Sequence, residues 1–304
     1  MRFAALWAVF VTSAACLLGA PSGCDHAPTP EAEPTPGTAR TPRLAVLSPA
    51  LAQTIRDLQR ESTIVARHGW DSFTPPAIPA AGSESGIEYE ILLRARPTHV
   101  LLQTGAKELP PRLVELATQG GWSIETVPAL SLDDVRSSII RLAELCAAEP
   151  GHAKRLEDKF DKAFVLRTDF ELKAGRVLIL AGTDPPGVMG PGSFHFELVR
   201  RLGGTPVPDQ GAAYMQLSLE DVARLDPDSL VLLLPGYTSD TNPPWRDALG
   251  PLDKLSLRCV AQGRVVLITD DRCQLPASSL ADTANEVAAQ VGAWAARPTG
   301  TPNP

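Results

Sequence analysis

The feature that most constrains this chain is a helix–turn–strand phrase written twice. "IEYEILLRARPTHVLLQTG" in the first half is answered by "SLEDVARLDPDSLVLLLPG" in the second. Glu90, Arg94 and Pro97 hold the same relative places as Glu220, Arg224 and Pro227. In each phrase a proline ends an amphipathic helix, because its ring cannot continue the helical hydrogen-bond ladder, and an aliphatic run follows. Two copies of one unit predict two lobes of one plan.

The rest of the body keeps this alternation. "RLAVLS", "TIVAR", "HVLLQ" and "SIETV" read as strands. Helices open at Ser48-Pro49, in "EYEILLRA" and in "PPRLVELATQGG". Short aliphatic strands alternating with helices imply an α/β fold with parallel-rich sheets. The alternation then lapses. "SLDDVRSSIIRLAELCA" reads as one helix, and "HAKRLEDKFDKAFVLRTDFELK" as a second of about twenty residues, ~30 Å long. It resumes with "RVLILAG", the glycine-rich loop "TDPPGVMGPGS", the helix "FHFELVRRLGG", the second phrase, the strand "RVVLITDD" and the closing helix "SLADTANEVAAQVGAW". The pattern predicts an N-terminal lobe over 43–148, one long connecting helix over 149–174 and a C-terminal lobe over 175–296.

The two ends differ from the body. Residues 1–24, "MRFAALWAVFVTSAACLLGAPSGC", pair one arginine with an apolar run, the pattern of a secretory signal; an uncleaved N-terminal anchor is the other reading. "PSGC" resembles a bacterial lipobox and makes Cys24 the expected lipidation site, although Pro21 stands where leucine is usual. Cys16, in "SAAC", is a rival that would cut the apolar run short. Residues 25–42 are Pro-rich and too poor in apolar side chains to fold, so they read as a linker, with 297–304 as a disordered tail. The chain is thus expected to be exported, periplasmic or cell-surface, and held to a membrane by lipid.

Of 304 residues, 44% are hydrophobic, enough for a sizeable core. A net charge of −7 with no basic run argues against a nucleic-acid partner. Cys146 falls on the apolar face of a helix and reads as core. Cys259 with Cys273 is the one disulfide pairing the sequence leaves open.

Five blocks, in order, carry a resemblance: "LAVLSPALAQTIRDL", "GSESGIEYEILLRARPTHVLL", "GPGSFHFELVRRLGG", "QLSLEDVARLDPDSLVLLL" and "RVVLITDDRCQLP". Together they resemble the class III periplasmic binding proteins for cobalamin, ferric siderophores and haem, over about Arg43 to Gly292. The resemblance implies two Rossmann-like lobes that capture a ligand and deliver it, as a monomer, to an ABC permease with its cytoplasmic ATPase. It also implies that Glu90 and Glu220 dock onto arginines of that permease. The plainer reading pairs each glutamate with the arginine four residues on, Arg94 or Arg224, on a solvated helix face.

Ligands of α/β lobes sit at the carboxyl ends of strands. Those ends nominate Ser48, Pro49 and Ala50 after the first strand, and His68 and Trp70 after the second. They also nominate Gly190 in the glycine-rich loop, Tyr214 before the second phrase, and Asp271 and Arg272 after the last strand. Trp70 falls where the resemblance places a ligand-touching aromatic. The family's arginine after the proline of the last block is replaced by "PASSL". No histidines stand at metal-ligand spacing, so no metal and no resident cofactor is expected. His68, His195 and Tyr214 leave an axial haem ligand open. No Gly-x-Ser-x-Gly, HExxH or CxxC occurs, and the chain does not read as an enzyme. An extracytoplasmic sensor or scavenger without a permease is the alternative function.

Overall fold

The computed structural model describes residues 41–103 and 108–296. Cys16, Cys24, the linker before residue 41 and the tail after 296 lie outside the described residues. In chain order, the first half is β1 (Leu44–Val46), α1 (Pro49–Asp57), β2 (Ile64–His68), β3 (Ala80–Ser83), β4 (Gly86–Ile87), α2 (Tyr89–Ala95), β5 (His99–Gln103), α3 (Pro111–Gly120) and β6 (Ser123–Val127). These strands form one sheet in the order β4-β3-β2-β1-β5-β6, parallel except for β4. Three helices follow: α4 (Leu132–Leu145), α5 (Pro150–Ala163) and α6 (Phe170–Ala174).

The second half is β7 (Arg176–Thr183), β8 (Pro186–Met189), α7 (Phe194–Leu202), β9 (Thr205–Val207), β10 (Tyr214–Gln216), α8 (Leu219–Leu225), β11 (Ser229–Leu233), α9 (Trp245–Ala248), α10 (Arg258–Ala261), β12 (Val265–Ile268) and α11 (Leu280–Gly292). Its sheet runs β10-β8-β7-β11-β12, with β9 parallel beside the start of β7. The two-lobed, parallel-rich α/β class is what the sequence led us to expect.

The repeated phrase forms the same local structure twice. Helices α2 and α8 are each seven residues long, and each ends on a left-handed residue, Arg96 or Asp226, just before the proline. The strand that follows, β5 or β11, is the central neighbour of β1 or β7 in its sheet. Leu92 and Val222, at matching positions, point inward with no exposed surface. Burying such a side chain contributes roughly 1.5–3 kcal/mol, which is what fixes each helix on its sheet.

Two expectations need correction. The connector is not one helix: α5 stops at Ala163, and α6 begins at Phe170. The chain leaves the helix so that Arg167 N–H can donate to Leu202 O (3.0 Å) and Phe170 can bury completely, while Val165 and Leu166 are left exposed. Uninterrupted helical periodicity had suggested otherwise. The glycine-rich loop, in turn, contains β8, antiparallel to β7 and to β10.

One apolar cluster runs through both lobes. It joins Leu51, Ile55 and Leu101 of the first with Ile179, Leu198, Val231 and Leu280 of the second, through Ile139, Leu156 and Phe160 of α4 and α5. Polar ties reinforce the seam: Ser278 Oγ donates to Asp57 (2.6 Å), Leu132 N–H donates to Glu197 (2.9 Å), and Arg201 pairs with Asp133 (2.9 Å). A shared core of this kind resists wide lobe separation, since packed interiors do not deform continuously.

The three described cysteines are free and buried. Cys259 and Cys273 do not pair, because one packs in the cluster under α10 and the other in the shared core beside α11. Burial pushes both thiols up to about 12. Cys146 sits in the shared core, as its helical position suggested. Among the described residues no helix is long and apolar enough to cross a membrane.

Candidate functional site

Because the strands of each sheet other than β4 and β8 run parallel, their carboxyl ends share one edge, and the loops there are positioned by short strands. Ser48 caps α1, accepting from Leu51 N–H (3.4 Å) and donating to Gln103 at the end of β5 (2.7 Å). Ser48 and Ala50 are buried, so this loop offers little side-chain surface and Pro49 is its half-open member.

The loop after β2 is different. Trp70 is 65% exposed and Phe73 38%, an expensive display of apolar surface in a loop that is otherwise firmly held. Trp70 N–H donates to His68 Nδ1 (3.1 Å), and the two rings lie 5.3 Å apart. Burial lowers the His68 pKa, partly opposed by the charge of Asp71.

Beneath the aromatics lies a buried ion pair that sequence reasoning missed. Asp71, its side chain fully buried, pairs with Arg56 of α1 at 3.2 Å and accepts from Phe73 N–H and Thr74 N–H. Arg56 continues to Gln53 (2.8 Å), Gln53 to Asp57 (2.8 Å), and Asp57 to Ser278 of the other lobe (2.6 Å). Arg67 closes the loop from its other side, donating to the carbonyls of His68, Asp71 and Ile78. The signal available was the Asp-Ser-Phe-Thr sequence, an Asx-type turn.

In the second lobe Tyr214, on β10, is 55% exposed, its hydroxyl lying over Gly187. Gly190 is buried, and a Cβ there would come within 2.4 Å of Ala212 O, so its glycine serves a close crossing of two backbones. Asp271 is exposed, whereas Arg272 is fork-bonded to Asp270 (2.9 and 2.6 Å). That pairing raises the arginine's pKa and lowers the aspartate's. Gln274 draws the ends of β7 and β11 together through Ala181 O and Leu233 O.

His195 does not reach a cleft. It is 1% exposed, with Nε2 at 2.7 Å from Cys273 O, and burial lowers its pKa to about 4. That removes it from any axial haem set with His68 and Tyr214. Among the described residues no group of three or more His, Cys, Asp or Glu is placed to hold a metal ion. A groove of about 480 Å³ follows the seam between Leu130–Ser131 and α7, and neither Trp70 nor Tyr214 lines it.

The two glutamates are displayed alike. Glu90 has 92% of its side chain exposed, and Arg94 reaches it only at 4.0 Å. At the matching place Arg224 turns instead to Asp221 (2.9 Å), and exposed Glu220 has no side-chain partner among the described residues. The helix-face pairing is therefore loose in α2 and absent from α8.

No family model and no curated relative matches the chain. Solved structures do. The chain is similar to the periplasmic vitamin B12 binding protein of Vibrio cholerae (TM-score 0.62, 19% identity, 82% of this chain and 96% of that one). It is similar also to the periplasmic heme binding protein of the same organism (0.64, 18%, 83% and 98%). A periplasmic heme binding protein from Pseudomonas aeruginosa aligns as well (0.63, 21%, 84% and 95%). The fold is that of the class III periplasmic binding proteins. Within that fold, the Trp70 loop and the β7–β8 hairpin with β10 stand at the strand-end edges of the two lobes.

Proposed function

We propose that the chain is the extracytoplasmic substrate-binding component of an ABC importer, capturing cobalamin, a ferric siderophore or haem between its lobes. The proposal extends to lipidation at Cys24 and to delivery of the ligand to a membrane permease by the monomer. The observation that carries it is the pair of seven-residue helices, one per lobe, each presenting an exposed glutamate at the same position. Those carboxylates have little internal work to do. Exposed carboxylate–arginine pairs with a partner set register and on-rate more than affinity, which suits a carrier that must dock and leave. Nothing in this reading needs covalent chemistry: Trp70 and Tyr214 supply apolar contact, and the shared core limits closure to a modest movement.

The test is uptake in cells carrying Glu90→Ala with Glu220→Ala. Loss of uptake with unchanged ligand affinity supports docking; retained uptake removes it. A sensor or scavenger of the same fold predicts no dependence of uptake on either glutamate.

A further inference from the structure

The Trp70 loop is tied to the other lobe by a chain of polar contacts along one face of α1. Gln53, Arg56 and Asp57 stand at i, i+3 and i+4, so a helix otherwise given to the core carries three polar side chains on one side. Gln53 is 4% exposed, and burial at that depth demands partners for both ends of its amide. Its oxygen accepts from Arg56 Nη2 (2.8 Å), and its nitrogen donates to Asp57 Oδ1 (2.8 Å). The amide cannot be turned round, because its NH2 would then face a guanidinium that only donates.

At one end of the chain Arg56 pairs with Asp71, whose carboxylate holds the N–H groups of Phe73 and Thr74. The same guanidinium lies 5.3 Å from the centre of the Phe73 ring. At the other end Ser278 Oγ donates to Asp57 Oδ2 (2.6 Å), and Ser278 N–H donates to Thr54 Oγ1 (3.2 Å). Ser278 is buried and belongs to the segment between β12 and α11, so its distance from Asp57 is set by how the lobes are placed. Arg67 holds the loop from within its own lobe.

We infer that this chain is a relay that makes the hold on the aromatic loop depend on the lobe seam, with Gln53, Asp57 and Ser278 as positioning residues for Trp70 and Phe73. Hydrogen bonds in a buried series support one another, and a partner removed from one leaves a buried group unsatisfied. A movement of the second lobe that draws Ser278 off Asp57 therefore loosens Gln53 and Arg56 in turn and frees the loop. The coupling is reciprocal, so whatever holds the loop also tightens the seam. Taken with the capture reading above, on which this last step rests, a ligand against Trp70 draws the lobes together. A partner that parts them at the seam lets the ligand go.

The experiment is limited chymotrypsin digestion of the detergent-purified full chain, with the cuts after Trp70 and Phe73 timed by mass spectrometry. Both rings are exposed, and cleavage there follows the open population of the loop. Ser278→Ala removes one hydroxyl from the other lobe and keeps the N–H bond to Thr54. It is expected to speed both cuts about fivefold, as loss of one ordinary hydrogen bond does, while the cut after Tyr214 keeps its parent rate. Gln53→Met, which breaks the chain in its middle, is expected to do the same. The double variant should be no faster than the quicker single one, because the links stand in series. Cuts in Ser278→Ala within about twofold of the parent, equal acceleration after Tyr214, or single effects that multiply in the double variant would each overturn the relay. If Ser278→Ala does not fold, Gln53→Met carries the test through hydrogen exchange at the Ser278 amide, which the relay quickens and which otherwise stays unchanged. No arm needs a ligand, so failure of the relay is read apart from failure of capture.

Discussion

Asp71→Asn is the substitution that asks most of the structure. The asparagine can still accept from Phe73 N–H and Thr74 N–H, so the turn itself survives. What it cannot do is neutralise Arg56, whose side chain is 11% exposed and whose Nη1 lies 3.2 Å from the lost charge. A buried ion stripped of its partner costs about 3–5 kcal/mol, a large part of the ~5–15 kcal/mol that holds an ordinary domain together. Arg56→Met in the same chain removes the stranded charge, and about 2 kcal/mol or more should return. Urea unfolding followed by tryptophan fluorescence and far-UV circular dichroism gives both values. An Asp71→Asn protein within about 1 kcal/mol of the parent would refute the reasoning, as would a double variant less stable than the single one.

Three further outcomes are expected. His195 has a folded pKa near 4 against about 6.5 unfolded, so the unfolded chain takes the proton first as pH falls. Its contribution is therefore complete above about pH 6.5 and lost towards pH 4, an effect of about 3 kcal/mol that His195→Phe should remove from denaturation curves run across that range. Gly190→Ala forces a Cβ to within 2.4 Å of Ala212 O and should cost about 1–3 kcal/mol by scanning calorimetry; an unchanged melting temperature contradicts the close crossing. Glu90→Ala with Glu220→Ala should leave stability within about 0.5 kcal/mol, because neither carboxylate is buried or tightly paired; a larger loss assigns them a structural role.

The lobes and their sheets were legible in the sequence because two periodicities alternate cleanly in it, and because the repeated phrase carries its own stop signals. Arg96 and Asp226, ending α2 and α8 in left-handed geometry before a proline, behave as that phrase implied. The break at Phe164–Asp169 was invisible, because its cause is tertiary: Phe170 buries against the far lobe's elements, and helical spacing on either side continues in phase. β8 was hidden by Gly187 within it and Gly190 just after it, which read as loop but permit the close packing of Tyr214 and Ala212. The candidate site was legible in part. Trp70 and Tyr214 stand out as exposed rings at strand ends, whereas Gly190 and His195 turned out to serve packing. The Asp71–Arg56 pair escaped notice because its members come from different elements, and only the fold brings them together.

The central claim, capture of a ligand at the strand-end edges, rests most directly on Trp70, the exposed tryptophan among the described residues. The purified protein should be titrated with cyanocobalamin, haem and ferric siderophores while its tryptophan emission is followed, beside Trp70→Phe. Capture predicts saturable quenching by one of them that is lost or greatly reduced in the variant. A response from none of them, or quenching that persists unchanged without Trp70, would contradict it.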